Sequence, residues 1–451
     1  MKNKKNIYFC GIGGISMSAI AQLMISKGFS VEGSDERCTD MVSKLMSKGI
    51  KINIGQYAEN IDGTIDIFVY TSAISDDNEE IMKAKELGID IYSRAEFLGK
   101  IMKNYKHAVA VSGAHGKTTV TGMLSSVFVH ANTDPTIFLG GEMDLLGGNI
   151  RIGEGDIFLT EACEYKRNFL NFKPNISVVV NIDEDHLDYY KDLADIESAF
   201  VEFIEKLPAD GVAIINYEYR DVFRKIDKNV EILTFGMNEE ADIFGKLIEL
   251  SPRPKFEVYY KNEYLYTQEM KVFGEHNIMN ALSAIGVAIN ASIEIDAIKN
   301  GLAEFIGTKR RFEYRGEFEG ITIIDDYAHH PNEIKTSLKT AHNHCDGKII
   351  TVFQSHTYTR TYELLDKFAE VFADSDIAIF TPIYAAREEN TGLVSGKILA
   401  EKAKINNENS FYADSFEYAK DLALKHAEAG DMIILMGAGE QNKIADMILA
   451  N

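Results

Sequence analysis

Apolar and polar positions recur along the chain in one order: a short apolar run, a turn of small residues, then a stretch with helical spacing. Runs 6–10, 30–33, 65–70 and 89–92 read as strands, with a helix over 17–26 after the first. The pattern returns at 108–111, 156–160 and 176–181, and again at 321–324, 348–353, 376–381 and 432–435. Apolar runs alternating with helical segments predict parallel sheets built from βαβ units, and hence an α/β protein. Stretches 256–260 and 264–271 alternate and predict a strand ribbon, followed by an apolar helix over 281–289. A lysine-rich linker at 103–106 and the cluster Lys309, Arg310 and Arg311 divide the chain into 1–105, 106–312 and 313–451.

In an open parallel sheet, ligands collect at the carboxyl ends of strands. Several such ends here carry candidate chemistry. The sharpest is AVAVSGAHGKTTVT at 108–121: a strand, the loop Gly113, Ala114, His115 and Gly116, then a helix opening at Lys117. Backbone N–H groups and the positive end of a helix dipole favour a phosphate there. Lys117 adds a charge for the outer phosphates and is expected to face solvent, while Thr118, followed by Thr119, offers a hydroxyl to Mg²⁺. The spacing is G-x-x-G-K-T-T; a Walker loop would need glycine at 111, where Val111 stands.

A second glycine loop follows the first strand: Gly11, Gly13 and Gly14, with Ser16 in place of the third glycine of a dinucleotide fingerprint. It suits NAD(P) or the diphosphate of another nucleotide, such as a UDP-sugar. Asp35 lies just past the second strand, and Thr71 and Ser72 just past the third. Glu161 ends the run 156–160, and His186 sits in an acidic stretch after 176–181. Together they suit a divalent metal beside phosphates; separately they read as a pairing carboxylate and a solvated loop. His276, Asn277 and Asn280 open the apolar helix, as ligands or as caps. The third segment gathers Asp326, Tyr327, His329, His356 and Arg360; Arg360 either grips a substrate anion or pairs with a neighbour such as Glu363.

Composition narrows the classes. At 451 residues the chain is expected to form about two to four domains. A net charge of −22, from 47 basic and 69 acidic residues, argues against a nucleic-acid partner. Four scattered cysteines without a C-x-x-C pair suit reduced thiols in a cytoplasm. No apolar run approaches the roughly 18 residues of a membrane span. A nicotinamide-dependent dehydrogenase rests on the first glycine loop alone, and a P-loop switch leaves the polar cluster of the third segment unused.

Taken together, GIGGISMS, SGAHGKTT, TEACEYKRNFL, NIDEDHLDYY, GEHNIMNA, TKRRFE, DDYAHHPNE, FQSHTYTRT, REENTGLVS and MGAGE fall in order over essentially the whole chain. In this the sequence resembles the Mur ligases of peptidoglycan precursor synthesis. The resemblance implies a Rossmann-like UDP-sugar domain, a central P-loop ATPase and a C-terminal Rossmann-like lid. It implies that ATP phosphorylates the lactyl carboxylate of UDP-N-acetylmuramate and that L-alanine attacks the acyl phosphate. By matching motif, Lys117 and Arg311 (or Arg310) neutralise the transferring phosphoryl group, and residues 113–119 hold ATP. Thr118 and Glu161 hold Mg²⁺, with Mn²⁺ able to substitute, and His186 holds a second. His276, Asn277 and Asn280 match the adenine side, and Asp326 the ribose. Tyr327, His329, His356 and Arg360 face alanine and acyl phosphate; Gly11, Gly13, Gly14, Ser16, Asp35, Thr71 and Ser72 line the UDP site. The resemblance further implies a cytoplasmic monomer or weak homodimer.

Three departures bear on these roles. The family often has Asp-Glu-Ser-Asp where Cys163, Glu164, Tyr165 and Lys166 stand, so Glu164 need not act. Thr357 replaces a frequent Arg, leaving Arg360 to bind the anion alone. The stretch SAFVEFIEK carries Glu202 where later family members use a carbamylated lysine, so no carbamate is expected. A family member that joins a tripeptide shares the architecture, and competition between alanine and tripeptide separates the two.

Overall fold

The computed structural model describes residues 5–71, 73–186, 189–226, 230–250, 253–386, 388–390 and 392–450. They form two compact units. One comprises Met1–Gly245, Val258–Leu265 and Asn280–Leu302; the other Lys246–Glu257, Tyr266–Met279 and Ala303–Asn451.

The first unit opens with β1 (Asn6–Cys10), α1 (Ile15–Ser26), β2 (Ser30–Asp35), α2 (Asp40–Ser47) and β3 (Lys51–Ile54). It continues with β4 (Ile67–Tyr70), α3 (Glu79–Glu86), β5 (Asp90–Ser93) and α4 (Arg94–Met102). The strands form one sheet in the order β3-β2-β1-β4-β5, parallel throughout. Pleating sends Ile7 and Phe9 into one apolar cluster and Tyr8 and Cys10 into another, so both faces of β1 are buried.

A second sheet begins with β6 (His107–Ser112), followed by α5 (Lys117–His130), β7 (Thr136–Met143), β8 (Gly148–Arg151) and β9 (Ile157–Glu161). Next come β10 (Ile176–Val179), α6 (Leu193–Glu205), β11 (Val212–Asn216), α7 (Arg220–Phe223) and β12 (Glu231–Gly236). Their order is β12-β11-β10-β6-β9-β7-β8, and only β8 among these pairs antiparallel. The chain then passes back and forth between the units in β13 (Ile243–Glu249), β14 (Lys255–Tyr260), β15 (Glu263–Glu269), α8 (Glu275–Asn290) and α9 (Ile295–Glu304).

The second unit carries the third sheet: β16 (Glu313–Phe318), β17 (Ile321–Asp326), β18 (Ile349–Phe353), β19 (Ile377–Phe380), β20 (Ser410–Tyr412) and β21 (Met432–Met436). Its order is β16-β17-β21-β18-β19-β20, antiparallel only at β16. The helices are α10 (Pro331–His342), α11 (Tyr358–Glu363), α12 (Leu365–Val371), α13 (Gly396–Ala403), α14 (Phe416–His426) and α15 (Lys443–Leu449). Ile349 and Phe353 of β18 join one cluster, Ile350 and Val352 the other. Apolar cover on both faces explains why β18 and β21 read as continuous apolar runs.

The α/β class with three mostly parallel sheets is the expected one. Several boundaries move. β2 runs on through Asp35, which therefore ends the strand instead of following it. α8 begins at Glu275, so His276, Asn277 and Asn280 lie within the helix, ahead of the expected start at 281. β3, β7, β8, β11, β12, β13, β16 and β20 have no counterpart among the expected strands.

Candidate active site

In the first unit, β6 passes through Gly113 (φ +141°) and Gly116 (φ +84°) into α5, whose first residue is Lys117. Gly116 adopts a left-handed conformation that a side chain disfavours, and a Cβ there would meet Asn280 Oδ1 at 2.8 Å. Asn181 pins the loop: His115 N donates to its Oδ1 at 2.8 Å, and its Nδ2 donates to His115 O at 2.9 Å. The loop amides are thus held at the amino end of a 14-residue helix, an arrangement that favours an anion.

Lys117 does not face solvent as expected. Its side chain is 18 % exposed, and Nζ donates to Ala114 O at 3.0 Å, to Gly113 O, and to both carboxylate oxygens of Glu164 at 3.2 and 3.1 Å. Burial disfavours the ammonium, but Glu164 outweighs it and raises the pKa of Lys117. Burial equally opposes the Glu164 carboxylate, yet Lys117 and then His186 hold its pKa below the usual range. Glu164, whose role the departure from the family pattern left open, is central to this cluster. His186, with φ +57°, places Nε2 3.6 Å from Glu164 and 3.7 Å from Asp185. Donor atoms of Glu164, Asp185 and His186 lie within 4.8 Å of one another, and their carboxylate and imidazole chemistry fits a hard divalent cation.

Thr118 and Glu161 do meet. Thr118 Oγ1 donates to Glu161 Oε2 at 3.1 Å, and Gly140 N donates to Oε1 at 2.6 Å. Asn280, buried beside Gly116, joins this loop.

At the other glycine loop, Gly11 N and Ile12 N donate to Ser34 O at 2.9 and 3.0 Å, and Gly13 N donates to Asp35 Oδ2 at 2.8 Å. Asp35 therefore shapes the loop itself. A Cβ on Gly13 would lie 2.6 Å from Val42 Cγ2 and 2.8 Å from Asp35 Oδ2, which is why only glycine fits. Gly14 caps α1, Ser16 lies in its first turn, and Thr71 packs on Gly11; Ser72 lies outside the described residues. One residue was missed here. Arg94, at the start of α4, donates from Nη1 to Ser16 Oγ at 3.1 Å, and among the described residues it forms no ion pair. Burial lowers its pKa. Its signal in sequence was only a cation in an acidic chain, just after a strand end.

In the second unit, Asp326 ends β17, is buried, and accepts from Ala328 N at 3.3 Å and from the Ser337 hydroxyl. Burial raises its pKa. His329 is fixed by its Nδ1, 2.9 Å from Tyr327 O, and by its backbone N, which donates to Glu333 Oε2 at 2.9 Å. Its ring centroid stands 6.0 Å from that of His356, which in turn lies 5.7 Å from Tyr384. Arg360 Nη1 approaches His356 Nδ1 at 3.5 Å. Burial lowers the pKa of His329 and, with His329 and Arg360 adding to it, pushes His356 down to about 4. Tyr327, His329, His356 and Arg360 thus form one cluster of neutral imidazoles beside a guanidinium. Arg311 adds a second guanidinium, 5.2 Å from the Tyr327 ring. His276, half-buried in the first turn of α8, is pushed down to about 4 by desolvation, and Asn277 donates to Phe273 O at 2.6 Å.

Likeness to known proteins covers most of the chain. Residues 6–106 match the Mur ligase family catalytic domain, 111–288 the Mur ligase middle domain, and 310–439 the Mur ligase glutamate ligase domain. A UDP-N-acetylmuramate–L-alanine ligase of Clostridium novyi is 44 % identical over 99 % of this chain and 98 % of its own. Its counterpart in Clostridium tetani is 45 % identical over 100 % and 99 %. Among solved structures, the UDP-N-acetylmuramate–alanine ligase of Thermotoga maritima superposes with a TM-score of 0.79 at 28 % identity, covering 99 % of this chain and 98 % of that one. A murein peptide ligase of Psychrobacter arcticus gives 0.71 at 25 %, with the same coverage. Three domain matches in order, carried by a phosphate loop, a second glycine loop and an arginine–imidazole cluster, make this chain a member of the Mur ligase family.

Proposed function

We propose that the protein joins L-alanine to the lactyl carboxylate of UDP-N-acetylmuramate, with ATP converted to ADP and phosphate. A carboxylate is a poor electrophile. Its oxygen attacks the γ-phosphorus, the bond to ADP breaks, and the acyl phosphate gains a leaving group. The alanine nitrogen then attacks the acyl carbon, loses a proton, and phosphate departs as the amide forms. Positioning and charge neutralisation supply most of the catalysis of phosphoryl transfer.

Each residue is assigned the part its surroundings suit. Loop residues 113–116 with Thr119 cradle the phosphates, and Lys117 and Arg311 neutralise the moving phosphoryl group. His276, Asn277 and Asn280 serve the adenine, and Asp326 the ribose. Thr118 with Glu161, and Glu164 with Asp185 and His186, would hold Mg²⁺ (or Mn²⁺). When bound, the cation offsets negative charge on the phosphates. Arg360 holds an anionic group of alanine or acyl phosphate. Neutral His329 and His356 add no positive charge near an amine that must lose a proton. The loop at Gly11, Gly13, Gly14 and Ser16, with Asp35, Thr71, Ser72 and the newly recognised Arg94, receives the UDP moiety. Domain limits of 1–105, 106–312 and 313–451, a cytoplasmic setting and a monomeric or weakly dimeric state belong to the same proposal. Among the described residues, no helix is long and apolar enough to cross a membrane.

The observation that carries the choice of substrate is identity of 44–45 % across the full length with relatives named for that reaction. Phosphate release is to be measured with UDP-N-acetylmuramate and, in turn, L-alanine, L-serine, glycine and a murein tripeptide. Release that depends on alanine supports the proposal; release with tripeptide alone moves the protein to the peptide-ligase branch.

A further inference from the structure

Arg310 and Arg311 are neighbours in sequence with different surroundings. Arg310 is held by its backbone and by Nη2, while its buried Nε makes no hydrogen bond and faces Asp325 as an ion pair. Its backbone N donates to Glu313 Oε2 at 2.7 Å, its O accepts from Tyr327 N at 2.7 Å, and Nη2 donates to Gly437 O at 2.9 Å. Its guanidinium lies 4.9 Å from the Tyr327 ring, and Nε is 3.5 Å from Asp325 Oδ2. Among the described residues Arg311 forms no ion pair; its guanidinium lies 5.2 Å from the same Tyr327 ring, and its charge acts on buried Asp326 and on His329.

Asp325 explains the difference. It lies in β17 with no exposure, between Glu313 of β16 and Leu435 of β21 in register. Neither carboxylate oxygen accepts a hydrogen bond, so its charge is compensated only by Arg310 and by Arg315, whose Nη1 is also 3.5 Å away. Arg315 is already committed to Asp446 at 2.7 Å. Burial pushes Asp325 up to about 6 despite both cations. The backbone agrees with a fixed element: Arg310 and Phe312 both have positive φ, +60° and +48°. Non-glycine residues keep such angles only where the surroundings impose them.

We infer that the two arginines divide the work: Arg310, clasped by Asp325, positions the backbone from which Arg311 presents its guanidinium to a phosphoryl group. Arg310 and Asp325 are then positioning residues, and Arg311 alone touches substrate. This rests on the reading of Arg311 as a phosphate-facing cation.

A double-variant cycle separates the roles, with ATP-dependent kcat and melting temperature as readouts. Arg310→Gln leaves Asp325 inadequately compensated, and kcat is expected to fall about tenfold or more with a lower melting temperature. Arg310→Gln with Asp325→Asn removes both charges and should recover kcat to within about threefold of wild type and restore the melting temperature. Arg311→Gln should lose about 100-fold or more in kcat without a change in melting temperature, and Asp325→Asn should not rescue it. A folded double variant no more active than Arg310→Gln overturns the inference, because Arg310 then acts on substrate itself. If Arg310→Gln alone does not fold, the double variant decides: folded and active supports the clasp, folded and inactive overturns it. Full activity of Arg311→Gln overturns the phosphate reading instead, while the melting-temperature cycle still reports coupling between 310 and 325.

Discussion

The ammonium of half-buried Lys117 and the buried carboxylate of Glu164, 47 residues apart in sequence, form an ion pair with both carboxylate oxygens within 3.2 Å of Nζ. One partner opens α5 and the other follows β9, so the pair ties the phosphate loop to the neighbouring strand end. Lys117→Ala is expected to lower kcat roughly 10²–10³-fold or more, through loss of a charge aimed at the phosphoryl group. It also strands a buried carboxylate, which typically costs about 3–5 kcal/mol. A solvent-facing lysine would predict no change in stability. Urea unfolding beside steady-state rates separates the two effects; activity within a few-fold of wild type removes Lys117 from the site.

Arg94 offers a test of the first glycine loop. A charge-assisted hydrogen bond is worth about 1.5–3 kcal/mol, or roughly 10–100-fold in affinity. Arg94→Ala is therefore expected to raise KM for the UDP-sugar by at least about tenfold and to leave KM for ATP within twofold. Equal changes in both would assign Arg94 to the packing of α4.

The sequence made the two glycine loops legible because their function requires glycine at particular angles, and those positions survive as motifs. Gly113 and Gly116 are examples, both at positive φ. Buried strands such as β18 and β21 were legible for a different reason, their unbroken apolar runs. What escaped notice depended on pairs distant in sequence. The role of Glu164 stayed open beside Cys163 and Lys166, and only the packing of β9 against β6 brings it to Lys117. Arg94 reaches Ser16 across 78 residues. Strands β7 and β8 were missed because Thr136–Met143 mixes glycines and polar residues into its second half, where burial is broken.

Three groups whose pKa values are moved by burial contribute to the pH dependence of stability. His276 and His356 sit at about 4 in the fold, against 6.5 when unfolded. Between those values the unfolded chain takes up protons that the folded chain refuses, so their contribution to stability is lost as pH falls from 6.5 towards 4. Asp325 has the opposite sign: at about 6 folded and 3.8 unfolded, it binds a proton in the fold first and adds stability as pH falls through that window. Unfolding by urea at pH 7, 6 and 5 should show a shallower loss for His276→Gln and a steeper one for Asp325→Asn. Parallel profiles for all three proteins would remove these groups as the cause.

Arg360→Lys separates ligase chemistry from generic ATP hydrolysis, since Arg360 stands on α11 in the second unit, away from the phosphate loop in sequence. Its Nη1 approaches His356 Nδ1, and the lowered pKa of His356 leaves that imidazole uncharged beside it. A planar guanidinium grips two oxygens of a carboxylate or acyl phosphate at once, whereas lysine offers one point charge. The substitution keeps the charge, so any loss reports geometry. The expected result is a large rise in KM for L-alanine or a fall in kcat, with binding of an ATP analogue nearly unchanged by calorimetry. A surface arginine paired with a neighbour such as Glu363 would contribute under about 1 kcal/mol and leave both measurements at wild-type values. In that event Arg360 leaves the site, and the anion must be held by another group of the Tyr327, His329 and His356 cluster.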